Sequence, residues 1–327
     1  MPTPCVSVVV AVHNGERHLE ASLASILRQG FGDFELIVVD DGSTDRTLEI
    51  LSRLSDEDSR IQVIRQGRRG QTSALIRAIQ AVRGTYLARQ DADDISRPER
   101  FERQLHYFDT HPSVGALGCA AEIIDEDGRA IGVVPMRQGI ARVRRGLMAL
   151  KATMVHSSIM MRRQAYEAVG GYREAFCVSQ DIDLWLRMAQ RYDVDNLPER
   201  FVQWRVRHEG VYTSQREKQL KYGGVALAFA RERARFGVDS YDLLARCSGD
   251  LGAFAAQYRM SGMLHALWGE LLFRGLRDPA AARPHFARAL AQGFVRPKTA
   301  CFFGWSLMGF AWPGGAPFSA CPGQGRS

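Results

Sequence analysis

Hydrophobic residues in the first ninety positions alternate between two patterns. Short β-branched or apolar runs at 6–12, 35–39, 61–64 and 85–88 predict strands. Between them, apolar residues recur at helical spacing: Leu19, Leu23, Ile26 and Leu27, then Leu48, Ile50, Leu51 and Leu54, then the segment 74–82. Gly84 stops the third helix. Strand and helix thus alternate with short links, which predicts a parallel sheet with helices on both faces. A polar cluster follows every strand. These are His13-Asn14-Gly15, Asp40-Asp41-Gly42-Ser43-Thr44-Asp45, Arg68-Arg69-Gly70 and Asp91-Ala92-Asp93-Asp94. Ligands of such sheets bind beyond the carboxyl ends of the strands, so these clusters mark the candidate site.

The pattern continues past residue 98. A helix is predicted to about 111, with Phe101, Leu105 and Phe108 on one face. A strand at 114–119 leads to the turn Asp125-Glu126-Asp127-Gly128. A basic helix at 139–150, a strand at 158–162 and a helix at 164–169 follow, the last stopped by Gly170-Gly171. Segment 181–189 is amphipathic, with Leu184, Trp185 and Met188 apolar, and 196–206 is extended. From about 213 only helices are predicted. Segments 258–275 and 279–292 form one hairpin in which Leu264, Leu267 and Leu271 face Ala282, Phe286 and Leu290. It is similar to one tetratricopeptide unit, present as one copy. Segment 301–312 is apolar and aromatic but too short to span a bilayer, which leaves packing or an interfacial position. Residues 313–327 are rich in Gly, Pro and Ser and predicted disordered. The resulting organisation is 1–212, 213–298 and 299–327.

Composition narrows the class. The 327 residues, 46% apolar, suffice for one large domain and an appendage. The N-terminus reads as a strand rather than a signal peptide, and no run of about 20 apolar residues occurs. The six cysteines are scattered without a C-x-x-C pair, which points to a reducing, cytoplasmic compartment and away from zinc. Charge is uneven. Residues 1–204 carry 26 Lys and Arg against 28 Asp and Glu, a net −2; residues 205–327 carry 17 against 8, a net +9. A basic tail suits anionic head groups or phosphates, and predicts peripheral contact with the cytoplasmic membrane face. No nucleic-acid motif accompanies it, so nucleic acid ranks last among partners.

The acidic cluster carries the most chemistry. Three carboxylates within four residues repel one another, and a divalent cation removes that penalty. Oxygen-only ligands in small number suit magnesium or manganese that also holds a phosphate. The bland alternative is a solvated turn in which Asp94 or Ser96 caps the next helix, with Pro98 in its first turn.

Taken together, the motifs resemble a family 2 glycosyltransferase with the GT-A fold, of the type that builds bacterial cell-surface polysaccharides. They are Val6-Ser7-Val8-Val9-Val10 with His13-Asn14, then Val38-Val39-Asp40-Asp41-Gly42-Ser43-Thr44-Asp45, then Asp91-Ala92-Asp93-Asp94. His156-Ser157-Ser158, Gln180-Asp181-x-Asp183-Leu184-Trp185 and Arg205-x-x-His208-Glu209-Gly210 complete the set, which covers roughly 4–215. The resemblance implies a Rossmann-like mixed sheet and a nucleotide-sugar donor, a UDP-sugar foremost. It implies that Val10, Ala11, His13, Asp40, Asp41, Arg69, Asp91 and Ala92 line the nucleotide, with Asp41 reading uracil. It implies that Asp93, with Asp91 and His208, holds Mn2+ or Mg2+, and that Asp181 is the base of an inverting displacement. His156 falls where the family places a residue near a saccharide or lipid-linked acceptor, and Trp204 is the stacking candidate, Trp185 reading as core.

This chain departs from the family's pattern at Ala11, His13, Ile76 and Gln180, the last standing where Glu usually precedes the base. Two other readings compete. A sugar nucleotidyltransferase would carry a Gly-rich basic loop after the first strand, where this chain has His13-Asn14-Gly15-Glu16. A degenerate binding or scaffold protein would not need Asp41, Asp93 and Asp181 together.

Overall fold

The structure is a computed structural model describing residues 3–151, 154–206, 215–258, 261–276, 278–294 and 297–307. The chain divides into two compact units, Met1–Arg207 and His208–Ser327.

The first unit is built on a nine-stranded mixed sheet. Strands β1 (Val6–Val12), β2 (Phe34–Asp41), β3 (Ile61–Gln66) and β4 (Tyr86–Arg89) are parallel in the order β3-β2-β1-β4. Helices α1 (Leu19–Leu27), α2 (Thr47–Glu57) and α3 (Gln71–Gln80) connect them. β1 and β2 are buried along almost their whole length, as strands covered on both faces must be, which explains their unbroken apolar runs.

Beyond β4 the sheet becomes mixed. β5 (Ile95–Ser96) and helix α4 (Arg100–Thr110) lead to the long strand β6 (Val114–Ile124) and its hairpin partner β7 (Ala130–Val134). Helix α5 (Ile140–Met148), a 3-10 turn at His156–Ser158, β8 (Met160–Arg162) and α6 (Arg163–Ala168) follow. Helix α7 (Gln180–Arg191) and β9 (Asp193–Arg205) complete the unit. β8 joins the two halves, antiparallel to both β4 and β6, while β9 runs parallel to β6. The short strands β5 and β7 carry no periodic signal of their own and were absent from the sequence reading. The strand read at 158–162 splits into a tight turn and a three-residue strand, because Ser157 and Ser158 serve as hydrogen-bonding glue.

The alternative in which Asp94 or Ser96 caps α4 does not hold. The residue before α4 is Glu99, without a side-chain cap bond. Asp94 instead accepts from Arg205 N at 2.7 Å, and Ser96 Oγ donates to Gln90. Trp185 is fully buried, as its helical spacing predicted. Trp204 lies partly buried against the core rather than standing clear of it.

The second unit is helical: α8 (Arg216–Phe236), α9 (Tyr241–Arg246), α10 (Leu251–Gln257), α11 (Ser261–Gly275), α12 (Pro279–Ala291) and α13 (Pro297–Leu307). The predicted hairpin is α11 packed on α12, with Leu272, Phe273, Ala282 and Phe286 buried together. Phe302 of α13 joins this cluster at 3% exposure, so the described part of the apolar segment packs within the helical unit. No helix among the described residues is long and apolar enough to cross a membrane. The segment 313–327 lies outside the described residues.

Candidate active site

β2 brings Asp40 and Asp41 to the sheet edge, each 1% exposed. Gly42 follows at φ +71, where an added Cβ would lie 2.8 Å from Arg68 N, so this turn requires glycine. The close approach lets the loop after β3 wrap around Asp41. Its carboxylate accepts from Gln66 Nε2 at 2.8 Å, Arg69 N at 2.7 Å and Gly70 N at 2.9 Å, and pairs with the Arg68 guanidinium. Burial pushes the Asp41 carboxyl up, but these donors prevail and hold it below the usual carboxylate range.

Asp40 closes its own turn, accepting from Ser43 N at 3.2 Å. Asp45 accepts from Thr47 N at 3.0 Å, at the start of α2. His13 Nδ1 lies 3.0 Å from the Asp41 carbonyl oxygen, and Asn14 Oδ1 accepts from Thr44 N at 2.9 Å. The turns after β1 and β2 are therefore one hydrogen-bonded ledge. Val10 is buried in the core beneath it, and Ala11 is partly exposed. The sequence reading singled out Arg69, whose guanidinium instead turns to Glu174 at 3.1 Å, while its backbone serves Asp41. Arg68, placed by the sequence in the same polar cluster but given no role of its own, supplies the charge.

The acidic loop after β4 separates into distinct environments. Asp91 Oδ1 meets the Arg89 guanidinium and Gln71 Nε2, the latter at 3.1 Å. Burial raises the Asp91 carboxyl, but Arg89 outweighs it and the group sits below its usual range. Asp94 is fully buried. Burial, with the carboxylates of Asp91 and Asp93 beside it, pushes it well above that range. Asp93 and Ala92 remain partly exposed at the sheet edge. Arg205 clamps the loop, its Nε donating to Asp93 O at 2.9 Å and its Nη1 to Asp125 O at 2.8 Å. Ser157 Oγ accepts from Asp91 N at 2.6 Å.

The start of α7 brings Asp181. Ser179 precedes the helix in the left-handed region, φ +57, which strains a non-glycine residue by about 1–2 kcal/mol. Asp181 lies partly exposed in the first turn. Burial raises its carboxyl, and the amides of Asp181 and Ile182 and the charge of Arg89 offset only part of the rise. Helix α7 is tied down by Arg187, which pairs with Asp183 at 2.7 Å and donates to Gly171 O at 2.6 Å. That bond fixes the segment bearing Tyr172, whose hydroxyl lies 2.6 Å from His156 Nε2. Burial and the nearby Arg89 hold His156 well below its usual range, so it is neutral.

The structure thus brings together Asp41, Arg68, Asp91, Asp93, Asp181 and His156, along with Gln71, Arg89 and Tyr172, to which the sequence reading gave no role. An arginine closing an apolar strand just before an acidic cluster was the available signal for Arg89. His208 lies outside the described residues. Among the described residues, no group of three His, Cys, Asp or Glu converges on one point. Asp93 beside Asp91, whose donors both occupy Oδ1, suits Mg2+ or Mn2+, which bind through one or two carboxylates and complete their shell with substrate phosphates and water.

The fold is of the GT-A type. Among solved structures, Staphylococcus aureus TarS 1–349 in complex with UDP superposes with a TM-score of 0.61 at 16% identity, over 94% of this chain and 92% of that one. Mannosyltransferase PcManGT from Pyrobaculum calidifontis, in complex with GDP-Man and Mn2+, gives 0.56 at 18% identity, over 94% and 85%. Residues 7–170 match the family described as glycosyl transferase family 2, and the chain belongs to it. The glycosyltransferase MJ1057 of Methanocaldococcus jannaschii is 31% identical over 68% of this chain and 78% of its own length. EpsE of Bacillus subtilis (strain 168) is 37% identical over 56% of this chain; that match spans 66% of the relative, just under two thirds. The O-antigen biosynthesis glycosyltransferase WbnJ of Escherichia coli is 28% identical over 64% and 82%.

Proposed function

We propose that this chain transfers a sugar, with inversion, from a nucleotide-diphosphate donor, a UDP-sugar foremost, to a hydroxyl of a saccharide or lipid-linked acceptor. The observation that carries the reading is the opposed state of two carboxylates. Arg89 holds Asp91 ionised at the end of β4, while burial raises the proton affinity of Asp181 at the start of α7. Environments that push paired acids apart divide roles between them. Asp91 remains an anion that contacts ribose, and Asp181 accepts the acceptor hydroxyl proton as its oxygen attacks the anomeric carbon. Asp41, with Arg68 and the 66–70 loop, recognises the base. Asp93, with Asp91 nearby, would hold a divalent cation, which would supply Lewis-acid stabilisation of the diphosphate.

The nucleotide ligands named for TarS and PcManGT support the donor class, and the name of WbnJ supports a role in cell-surface polysaccharide synthesis. In this reading the enzyme works at the cytoplasmic membrane face, with the net +9 of residues 205–327 drawing it to anionic lipid. A thermal-shift screen of nucleoside diphosphates with manganese tests the donor. UDP should raise the melting temperature selectively; no shift with any nucleotide would contradict the reading.

A further inference from the structure

Two buried arginines lie under the acidic loop, and the fold treats them differently. Arg100 is fully buried, and all its N–H groups have acceptors: Gln104 Oε1 at 3.2 Å, Ser96 Oγ at 2.9 Å, Gln90 Oε1 at 3.4 Å, and the carbonyls of Arg89 at 2.9 Å and Ile159 at 3.1 Å. Arg89 is 1% exposed, and its Nη2 pairs with Asp91. Its Nε and Nη1 have no acceptor among the described residues. Buried charged donors without acceptors are among the costliest groups a fold can carry. The fold thus satisfies one such arginine completely and leaves two buried nitrogens of its neighbour without an acceptor among the described residues.

The position of Arg89 says what could meet them. Its charge acts on Asp91 and on Asp181, as well as on His156 and Tyr172. These groups come from the end of β4, the start of α7, the 3-10 turn and the segment after α6. The guanidinium therefore lies among the groups that include the nucleotide-side carboxylate and the proposed base. The sugar in transit must occupy that interval, because the nucleotide leaves on one side and the acceptor attacks from the other. Asp91 already balances the charge of Arg89, so the remaining N–H groups suit neutral hydroxyl or carbonyl oxygens.

We propose that Arg89 forms the floor of the sugar subsite, with Nε and Nη1 donating to oxygens of the transferred sugar while Nη2 stays on Asp91. The inference rests on the nucleotide-sugar reading and deepens it. The test is calorimetric binding with Mn2+, comparing UDP with UDP-glucose, UDP-galactose, UDP-N-acetylglucosamine and UDP-glucuronate, for the wild-type protein, Arg89→Lys and Arg89→Met. Lysine keeps a charge for Asp91 but loses the planar fork. Arg89→Lys should bind UDP within about threefold of wild type and lose about tenfold or more for the sugar nucleotide that the wild type prefers, whereas Arg89→Met, which also removes the charge that holds Asp91 ionised, should weaken UDP as well and the sugar nucleotide by a larger factor. Arg89→Lys gives this answer even where Arg89→Met fails to fold. Equal losses for UDP and the sugar nucleotide, unchanged binding of both, or a wild type that binds UDP but no sugar nucleotide would overturn the subsite. A wild type that binds no UDP would instead refute the nucleotide reading, and the subsite with it.

Discussion

Gln180 Nε2 donates to Gln71 Oε1 at 3.2 Å, and this bond links the helix bearing Asp181 to the acidic loop. Gln71 passes the connection on, its own amide donating to Asp91 Oδ1 at 3.1 Å. A Glu at this position, usual in the family, could accept from the Gln71 amide but could not donate to its oxygen as Gln180 does. Gln71→Leu keeps the size and removes both bonds. Turnover should fall about tenfold, with UDP affinity changed by less than about threefold. Steady-state kinetics with parallel nucleotide titration checks it; unchanged turnover would make the link decorative.

Asp41 should matter to stability as well as to nucleotide binding. Its carboxyl is held below its unfolded value, so its contribution is present above about pH 4 and is lost as pH falls through the native value. Asp41→Asn should destabilise the fold by about 1–3 kcal/mol at neutral pH and flatten the acid limb of stability. Urea unfolding at several pH values reads both.

Asp181 makes the opposite prediction for activity. Its carboxyl is raised, and the base must be ionised, so kcat/KM should decline on acidification at a pH above the ordinary carboxylate value. The pH profile of the wild-type enzyme locates that limb. A limb at or below pH 4 would contradict the environment assigned to Asp181.

In the helical unit, His265 and His285 stack with their Nδ1 atoms 3.0 Å apart, and burial pulls both down to about 4. Unfolded histidines take protons from about pH 6.5, so the unit should lose stability as pH falls from there toward 4. His265→Phe should weaken that dependence, as circular dichroism melts between pH 7 and 4.5 would show. Phe302 anchors α13 in the same unit, so Phe302→Ala should cost about 3–5 kcal/mol there. Flotation with anionic vesicles separates this packing role from membrane contact, which predicts binding at low salt for the full chain.

The sequence revealed the parallel half of the sheet well, because strands buried on both faces must be apolar throughout and end in polar turns. It put Asp41, Asp91 and Asp93 at strand ends through the strand pattern, and pointed to Asp181 through the family resemblance alone. It did not reveal what those carboxylates touch. The side chain of Arg68 rather than that of Arg69 reaches Asp41 because the backbone at Gly42 and Arg68 comes within contact distance, a long-range fact without local signal. The division of the acidic loop into a paired Asp91, a half-open Asp93 and a buried Asp94 depends on Arg89 and Arg205, and Arg205 lies more than a hundred residues away. Strand β7 escaped notice because it is an exposed edge with no alternation to read.

The central claim is transfer from a nucleotide sugar with Asp181 as base, and it is tested most directly by following UDP release from a panel of UDP-sugars with a saccharide acceptor mixture and Mn2+, for wild type and Asp181→Asn. Asparagine keeps the size of the side chain and loses its basicity. The account predicts release from at least one donor, abolished by chelator, with Asp181→Asn slower by about 10²-fold or more and its UDP affinity nearly intact. No release from any donor, or equal rates for the two proteins, would contradict it.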